Sequence, residues 1–499
     1  MKHSPRRAAI IFSFTCTLLT PCAHAITGQP GTLDSTWSGA GKVITPIGSG
    51  DDSANAMTLQ TDGKVLLAGA CLNGANVAFC AARYLANGTL DIAWNSTGKV
   101  ITPIGGGEDT ATAMTLQPDG KVLLAGSCVN GSQYDFCAVR YLANGTLDST
   151  WNGTGKVITS LGSSHDFARA ITLQPDGKVL VAGNCVNGAT VDFCAARYLG
   201  NGTLDSTWNG SGTVITPIGI GDDAATAMTL QPDGKVLLAG TCSNGTNNDF
   251  CAVRYLPNGA LDSTWNGAGS VITPIGIGDD AATVMTLQPD GKVLVAGYCL
   301  NGTTYNFCAA RYSANGTLDN AWNGTGKVIN SIGSSDGLAR TMTLQPDGKV
   351  LLAGYCVNGG NADFCVARYL TNGSLDFTWN GTGNAITPIG SSGDYAYAMA
   401  LQPDAKVLLA GNCYNGMNND FCVARYDSGP FLSPVCNLDI DGDGQILGTV
   451  DSLIHARIAL GLTGNAVTNG IVFPAAAKRT SWAAIRTHLN AWCGMSLVP

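Results

Sequence analysis

Leu116-Gln117-Pro118-Asp119-Gly120-Lys121-Val122-Leu123-Leu124-Ala125-Gly126 holds a tight turn and the strand it launches. Pro118 presets φ for the first corner of the turn and Gly120 accepts positive φ at its end. Lys121 to Cys128 is apolar and bounded by glycine, as a strand buried on both faces should be. Upstream, Ala111 to Gln117 reads as the strand entering the turn. Downstream, Asn130-Gly131 supports a second hairpin and Phe136 to Leu142 returns as a third strand. A longer loop with Asn144-Gly145 and Trp151 then leads to a fourth strand, Gly155 to Leu161. Four antiparallel strands make one small sheet, too small to bury its own two faces.

The pattern recurs. Leu-Gln-x-Asp-x-Lys begins at Leu59, Leu116, Leu173, Leu230, Leu287, Leu344 and Leu401, always 57 residues apart. Trp37, Trp94, Trp151, Trp208, Trp265, Trp322 and Trp379 keep the same period. So do the Arg-Tyr pairs at Arg83, Arg140, Arg197, Arg254, Arg311, Arg368 and Arg425. No insertion interrupts the period, so every unit must meet its neighbours in the same way, and stacking the units around an axis gives an all-β, seven-bladed β-propeller of four-stranded repeats. A fourth-strand sequence, Gly41 to Ile47, precedes any first strand, and the last copy stops after its third strand near Arg425-Tyr426. The amino-terminal strand is therefore expected to complete the last blade and close the ring without a long exposed edge. A β-solenoid or sandwich array is the other arrangement of such units, but a solenoid needs atypical end caps that the sequence lacks.

The 499 residues are 45% hydrophobic and only 12% charged, with 65 Gly and 18 Cys. That apolar content supports a large packed core and argues against disorder. Lys2, Arg6 and Arg7 precede the apolar run Ala8 to Leu19, and Ala23-His24-Ala25 supplies small residues at −3 and −1, so residues 1–25 read as a secretory signal cut after Ala25. Leu19-Thr20-Pro21-Cys22 offers a lipoprotein alternative, with Pro21 where a small residue is expected. The remainder carries 24 basic against 35 acidic residues, a net −11, which argues against a nucleic-acid partner. No later stretch is apolar over the ~20 residues needed to span a bilayer. The expectation is a monomer in the cell envelope or medium, with a propeller over 26–427, a linker over 428–435 and a small helical domain over 436–499.

Export favours disulfides. Seven cysteine pairs stand nine positions apart across the Asn-Gly hairpin: Cys71/Cys80, Cys128/Cys137, Cys185/Cys194, Cys242/Cys251, Cys299/Cys308, Cys356/Cys365 and Cys413/Cys422. No histidine accompanies them, so they read as bridges rather than as metal ligands. Each is expected to act locally, pinning the base of its own hairpin, with no part in joining one blade to the next. Cys436 and Cys493 bracket the tail and read as an eighth bridge.

The unit Gly-Asp-Asp-x-Ala-x-Ala-Met-Thr-Leu-Gln-Pro-Asp-Gly-Lys-Val-Leu-x-Ala-Gly from Gly221, near-repeated from Gly278 and followed by Ala-Val-Arg-Tyr and Asn-Gly-x-Leu-Asp, resembles the delta-60 repeat of exported bacterial proteins over residues 31 to 427. The resemblance implies the propeller fold and the envelope setting and carries no agreed activity. In the tail, Asp439, Asp441 and Asp443 stand at positions 1, 3 and 5 of a calcium-type loop, with Gly444 at 6 and Gln445 at 7 offering its carbonyl. Val450, Leu453, Ile454 and Ile458 fit one face of a following helix, and Trp482, Ile485, Leu489 and Trp492 the inward face of a second, over Thr480 to Trp492. Loop and helix resemble half of a dockerin module, an EF-hand-like unit binding Ca²⁺. Position 12 is Val450, the acid falls at Asp451, and no second loop follows, which weakens the case for strong affinity and for cohesin-type pairing.

Chemistry on a propeller must come from residues that break its symmetry. The breaks stand out ahead of the first strand of their copies: His165 and Arg169 in the third, Arg340 in the sixth, Tyr395 and Tyr397 in the seventh. They are candidate ligand contacts at an exposed rim, with ordinary drift there as the favoured reading. Asp52, Asp109, Asp166, Asp223, Asp280 and Asp394 recur and could form a carboxylate ring, but Asp in such loops more often accepts backbone N–H bonds. The series Asp62 to Asp404 and Asp34 to Asp376 read as turn formers, and the Trp and Arg-Tyr series as packing between blades, with Arg stacking on a ring or bonding a carbonyl. No nucleophile elbow or zinc-protease helix is visible, so the expected function is a non-enzymatic binding or scaffold protein with polysaccharide or extracellular protein as target. The alternative is a carbohydrate-active hydrolase or lyase with its site at one mouth, an analogy from fold alone.

Overall fold

The computed structural model describes residues 28–429 and, in the carboxy-terminal segment, residues 440, 450, 453–454, 457–458, 462–474 and 477–486. Seven four-stranded antiparallel sheets make up the ring, and in six of them the strands are hydrogen-bonded in chain order. The first blade is β2 (Asp52–Leu59), β3 (Val65–Asn73), β4 (Asn76–Tyr84) and β5 (Lys99–Thr102). The seventh contains β26 (Asp394–Leu401), β27 (Val407–Tyr414) and β28 (Asn419–Tyr426), and β1 (Lys42–Thr45) supplies its outer strand. The pairing runs from Lys42 opposite Ala424 to Thr45 opposite Phe421, so the seven-bladed ring closes as the repeat count required. Gly31 N–H donates to the Asp427 carbonyl at 2.6 Å, and Ser428, buried, accepts from Arg368 at 2.8 Å.

The continuous apolar run of the second strand now has its reason. Side chains alternate across a strand; Val65 and Leu67 enter the core shared with the seventh blade, whereas Leu66 and Ala68 enter the core shared with the second. Both faces are buried, and polar residues have no place on either.

All seven hairpin bridges expected from the sequence form: Cys71–Cys80, Cys128–Cys137, Cys185–Cys194, Cys242–Cys251, Cys299–Cys308, Cys356–Cys365 and Cys413–Cys422. Each bond stays within its own blade, as expected, and the structure adds a second role through packing. Cys71 and Cys80 lie diagonally across the hairpin on one face, 5.9 Å apart at Cα, fully buried against Phe421 of the seventh blade. Cys128 and Cys137 share a core with Phe79 of the preceding blade, Cys185 and Cys194 with Phe136, and Cys242 and Cys251 with Phe193. Cys299 and Cys308 likewise pack with Phe250, Cys356 and Cys365 with Phe307, and Cys413 and Cys422 with Phe364. The physical reason is that the hairpin face carrying the sulfurs is the face turned toward the neighbouring blade, so each bridge spans one hairpin covalently and fills the seam between two blades. The seven bridges suit an oxidising setting outside the cytoplasm, and no helix among the described residues is long and apolar enough to cross a membrane.

At the opposite end of each sheet the Trp and Arg series lock neighbours together. Trp208 is fully buried, and Gly259 of the following repeat sits on its ring at φ +91°, where a Cβ would lie 2.9 Å from the indole. Arg254 Nε donates to Asp262 at 2.9 Å, its guanidinium lies 5.9 Å from the centre of the Trp265 ring, and its Nη1 reaches the Ala314 carbonyl one blade on. Both readings of the arginine, stacking and carbonyl bonding, hold together. The Asp34 to Asp376 series does more than form turns: Asp262 accepts from Thr264 as a turn residue should, while its other oxygen pairs with Arg254 inside the blade interface.

In the carboxy-terminal segment Ile440, Val450, Ile454, Val467, Trp482 and Ile485 form a small apolar cluster, with α1 (Asn465–Thr468) contributing Val467. Leu453, expected on the buried face, is instead exposed, and Ile458 packs at the cluster's edge. Leu489 and Trp492 lie outside the described residues.

Candidate functional site in the central channel

The first strand of every blade lines the axis of the ring, and every one carries a bulge. In β2, Ala54 opposes Gly69 and Ala56 opposes Ala68, so Asn55 is the extra residue. The cause sits on the partner strand: a Cβ on Gly69 would lie 1.8 Å from the Ser53 carbonyl, so only glycine lets the first strand buckle there. The same contact recurs at Gly126, Gly183, Gly240, Gly297, Gly354 and Gly411, which explains the glycine that ends each Val-Leu-x-Ala-Gly run. A bulge re-aims its residue, and here it brings Asn55, Thr112, Arg169, Thr226, Thr283, Arg340 and Tyr397, all in one register, to a single central cavity of about 540 Å³.

Four of the seven are engaged with the wall. Asn55 donates to the Ala111 carbonyl at 2.8 Å, Thr112 to Ala168 at 2.7 Å, Thr226 to Ala282 at 2.7 Å and Thr283 to Ala339 at 2.9 Å. Each bond reaches the next blade, forming a partial hoop of side chains. Arg169, Arg340 and Tyr397 break it. Arg169, in β10 (Asp166–Leu173), has no hydrogen bond or ion pair among the described residues and lies 5.5 Å from the centre of the Phe167 ring. Burial among the channel walls lowers its pKa from the usual guanidinium value, although its side chain meets the water of the lumen. Arg340, in β22 (Gly337–Leu344), lies 5.2 Å from the Tyr298 ring centre and 5.5 Å from that of Tyr355, whose hydroxyl it reaches at 3.0 Å; its Nε is buried without a partner among the described residues. Burial pushes Tyr397 up to about 12, with Tyr355 adding to the rise and Arg340 opposing it. Tyr395 and Tyr355 meet edge to face at 4.9 Å.

These positions correct the expected rim. Arg169, Arg340, Tyr395 and Tyr397 lie within first strands, and all but Tyr395 line the channel cavity itself. His165 stands elsewhere and does structural work. Its Nδ1 accepts the Tyr134 N–H at 3.1 Å, the inter-blade bond that Asp222, Asp279, Asp336 and Asp51 accept in other repeats. The carboxylate ring is likewise committed: Asp52 accepts from Ile47 N–H at 2.7 Å and Gly48 N–H at 2.9 Å, and the pattern repeats at Asp109, Asp166, Asp223, Asp280 and Asp394. Sequence reasoning missed Asn55, Thr112, Thr226 and Thr283 as members of the channel ring, together with Tyr298 and Tyr355 around Arg340. The 57-residue period applied to Arg169 finds the first four; the two tyrosines carry no comparable signal. Asp439, Asp441, Asp443, Gln445, Asp451, Cys436 and Cys493 lie outside the described residues.

The fold and channel define a seven-bladed β-propeller repeat protein. Six of its segments, residues 60–91, 117–150, 174–207, 231–264, 288–321 and 345–378, match the family described as a domain of unknown function, DUF5122, beta-propeller. No curated protein matches the sequence. Solved structures that it is similar to include a streptogramin B lyase at 10% identity (77% of this chain, 96% of that one, TM-score 0.45). An ulvan lyase of polysaccharide lyase family PL25 also has 10% identity (78% and 96%, TM-score 0.46), as does Sqt1 from Chaetomium thermophilum (78% and 100%, TM-score 0.41). At these values the neighbours carry no argument about the chemistry of this chain.

Proposed function

We propose that the chain is an exported, non-enzymatic binding module whose propeller engages an extracellular polysaccharide or protein through one mouth of the channel, with a Ca²⁺-stabilised carboxy-terminal domain serving attachment. The observation that carries this reading is the broken hoop: in an otherwise repeated ring, three side chains of the channel register make no bond to the next blade's carbonyl and line the cavity instead. Against catalysis, the recurring carboxylates of the first strands accept backbone N–H groups, and His165 spends Nδ1 on Tyr134. A general base must lie within reach of substrate, and these carboxylates are buried where they hold backbone N–H groups, out of contact with the channel. Retention on a panel of immobilised polysaccharides and envelope proteins, with parallel assay for new reducing or unsaturated ends, tests the reading. Retention without turnover is expected; turnover would establish the carbohydrate-active alternative. For the tail, thermal unfolding with and without Ca²⁺ should show a calcium-dependent shift that Asp441→Ala abolishes, and its absence in the natural chain removes the metal.

A further inference from the structure

Among the described residues, Arg169 and Arg340 are the only charged side chains lining the central cavity. They stand three blades apart in a ring of seven, hence on nearly opposite walls. Neither forms an ion pair with any described residue, in a chain whose formal net charge is −8. A buried guanidinium nitrogen without a carboxylate is costly unless something else supplies the negative charge; Arg340 places its Nε in that position, whereas Arg169 presents its charge to the open lumen. The four other polar residues of the register show that the wall has carbonyls to offer, yet the two arginines take none of them. Arg340 is moreover held in place between the rings of Tyr298 and Tyr355, with Nε buried and Nη2 on the Tyr355 hydroxyl, which leaves Nη1 without a partner among the described residues. A guanidinium N–H meets an oxyanion in a strong charge-assisted hydrogen bond. The cavity, at about 540 Å³, falls within the roughly 300–1,000 Å³ range of small-molecule pockets. Tyr397 lines it and Tyr395 lies beside Tyr355, so aromatic surface adjoins the cationic lining.

We propose that the channel is a seat for an acidic saccharide, taking the carboxylate of a uronate or the sulfate of a sulfated sugar between Arg169 and Arg340 while a tyrosine face carries the sugar ring. This deepens the binding-module reading and rests on it. Guanidinium recognises both oxyanions, and the aromatic surface favours a sugar-borne group over a free ion. The test is isothermal titration of the full chain with tetragalacturonate, with a sulfated tetrasaccharide and with neutral maltotetraose, repeated on Arg169→Gln and Arg340→Gln. We expect one acidic ligand to bind at least tenfold more tightly than the neutral one and each substitution to weaken it at least tenfold, with far-ultraviolet circular dichroism and Tm showing both variants folded. Carboxylate and sulfate arms identify the source of the charge. Equal binding of acidic and neutral ligands, or acidic binding unchanged in both variants, overturns the oxyanion seat and leaves the binding module standing. Absence of binding to all three ligands also overturns the seat; retention of the same preparation on another polysaccharide or envelope protein would then preserve the broader reading, and no retention anywhere would end both.

Discussion

Removing one hairpin cross-link should cost the loop-closure entropy of its own short loop and, in addition, the packing its sulfurs provide between blades. In the chain-entropy account, a bridge stabilises by restricting the unfolded chain, and a loop of this length gives about 2.5 kcal/mol. The Cys242–Cys251 bridge closes nine residues and both cysteines are buried in the core between neighbouring blades, with Trp208 and Tyr255 in the same cluster. The double variant Cys242→Ala/Cys251→Ala should therefore lose about 2.5 kcal/mol, close to a 70-fold change in the unfolding equilibrium, plus a smaller contribution from the lost sulfur packing. Seven such bridges together contribute about 18 kcal/mol, as much as the whole stability of many domains, so the fully reduced chain should lose most of its resistance to denaturant. Guanidinium unfolding followed by tryptophan fluorescence reads both effects. The same burial makes a kinetic claim: with no exposed sulfur in any hairpin bridge, the oxidised native propeller should resist a phosphine reductant until a blade opens. A loss under about 0.5 kcal/mol in the double variant, or rapid reduction of these bridges in native buffer, would refute the reasoning.

Stability should peak in mildly acidic solution. Burial pushes Asp280 up to about 6, with the N–H groups of Ile275 and Gly276 opposing and Asp249 adding to the rise, and it raises Asp52, Asp166, Asp223 and Asp394 in the same way. A carboxyl raised on folding contributes stability that is full below about pH 4 and lost as pH climbs through about 6. Asp34 behaves oppositely: burial favours its neutral form, but hydrogen bonds from Thr36 and Lys406 and the charge of Arg425 win and hold it at about 2, so its contribution disappears as pH falls below about 4. Thermal unfolding should thus give its highest Tm near pH 4, falling as pH climbs through about 6; a Tm still rising toward pH 7.5 contradicts this. Gly259→Ala places a Cβ against the Trp208 ring at positive φ and should cost at least about 1 kcal/mol, whereas Gly267→Ala, also at positive φ but in open space, should cost less; equal losses in chemical denaturation would remove the ring contact as the cause. Arg254→Met leaves Asp262 buried without its partner and should cost about 3 kcal/mol, with Asp262→Asn recovering part of the loss in the double variant; no coupling between the two would refute the pair.

Much of the fold was legible because the repeat never slips. An uninterrupted period fixes equivalent positions in every blade, and the misplaced fourth strand at Gly41 to Ile47 already announced the closing pair with β28. The hairpin bridges followed from cysteines that flank one turn, whereas their place in the seam between blades depends on which face of the hairpin meets the neighbour, and spacing along the chain does not reveal that. The channel was harder to read. Arg169 and Arg340 were visible as breaks, but their aim depends on a bulge, and the bulge depends on a glycine one strand away whose contact is with a backbone carbonyl. Periodicity of side chains along a strand gives no warning of an extra residue within it. His165 misled for the opposite reason: a rare histidine draws notice, yet it performs the task aspartate performs in sibling repeats. Asp262 showed its turn chemistry in sequence, whereas its pairing with Arg254 emerged only when strand and loop were folded together.

The seam between β1 and β28 sets an order of events during synthesis. The segment Lys42–Thr45 emerges first, and its hydrogen-bonding partner Asn419–Tyr426 more than 370 residues later, so the earliest β-segment must wait while six complete blades take shape around the axis. Until that late handshake, two sticky edges stand open at once, and a ribosome or translocon that stalls near the end would release a horseshoe with both ends free to recruit neighbours.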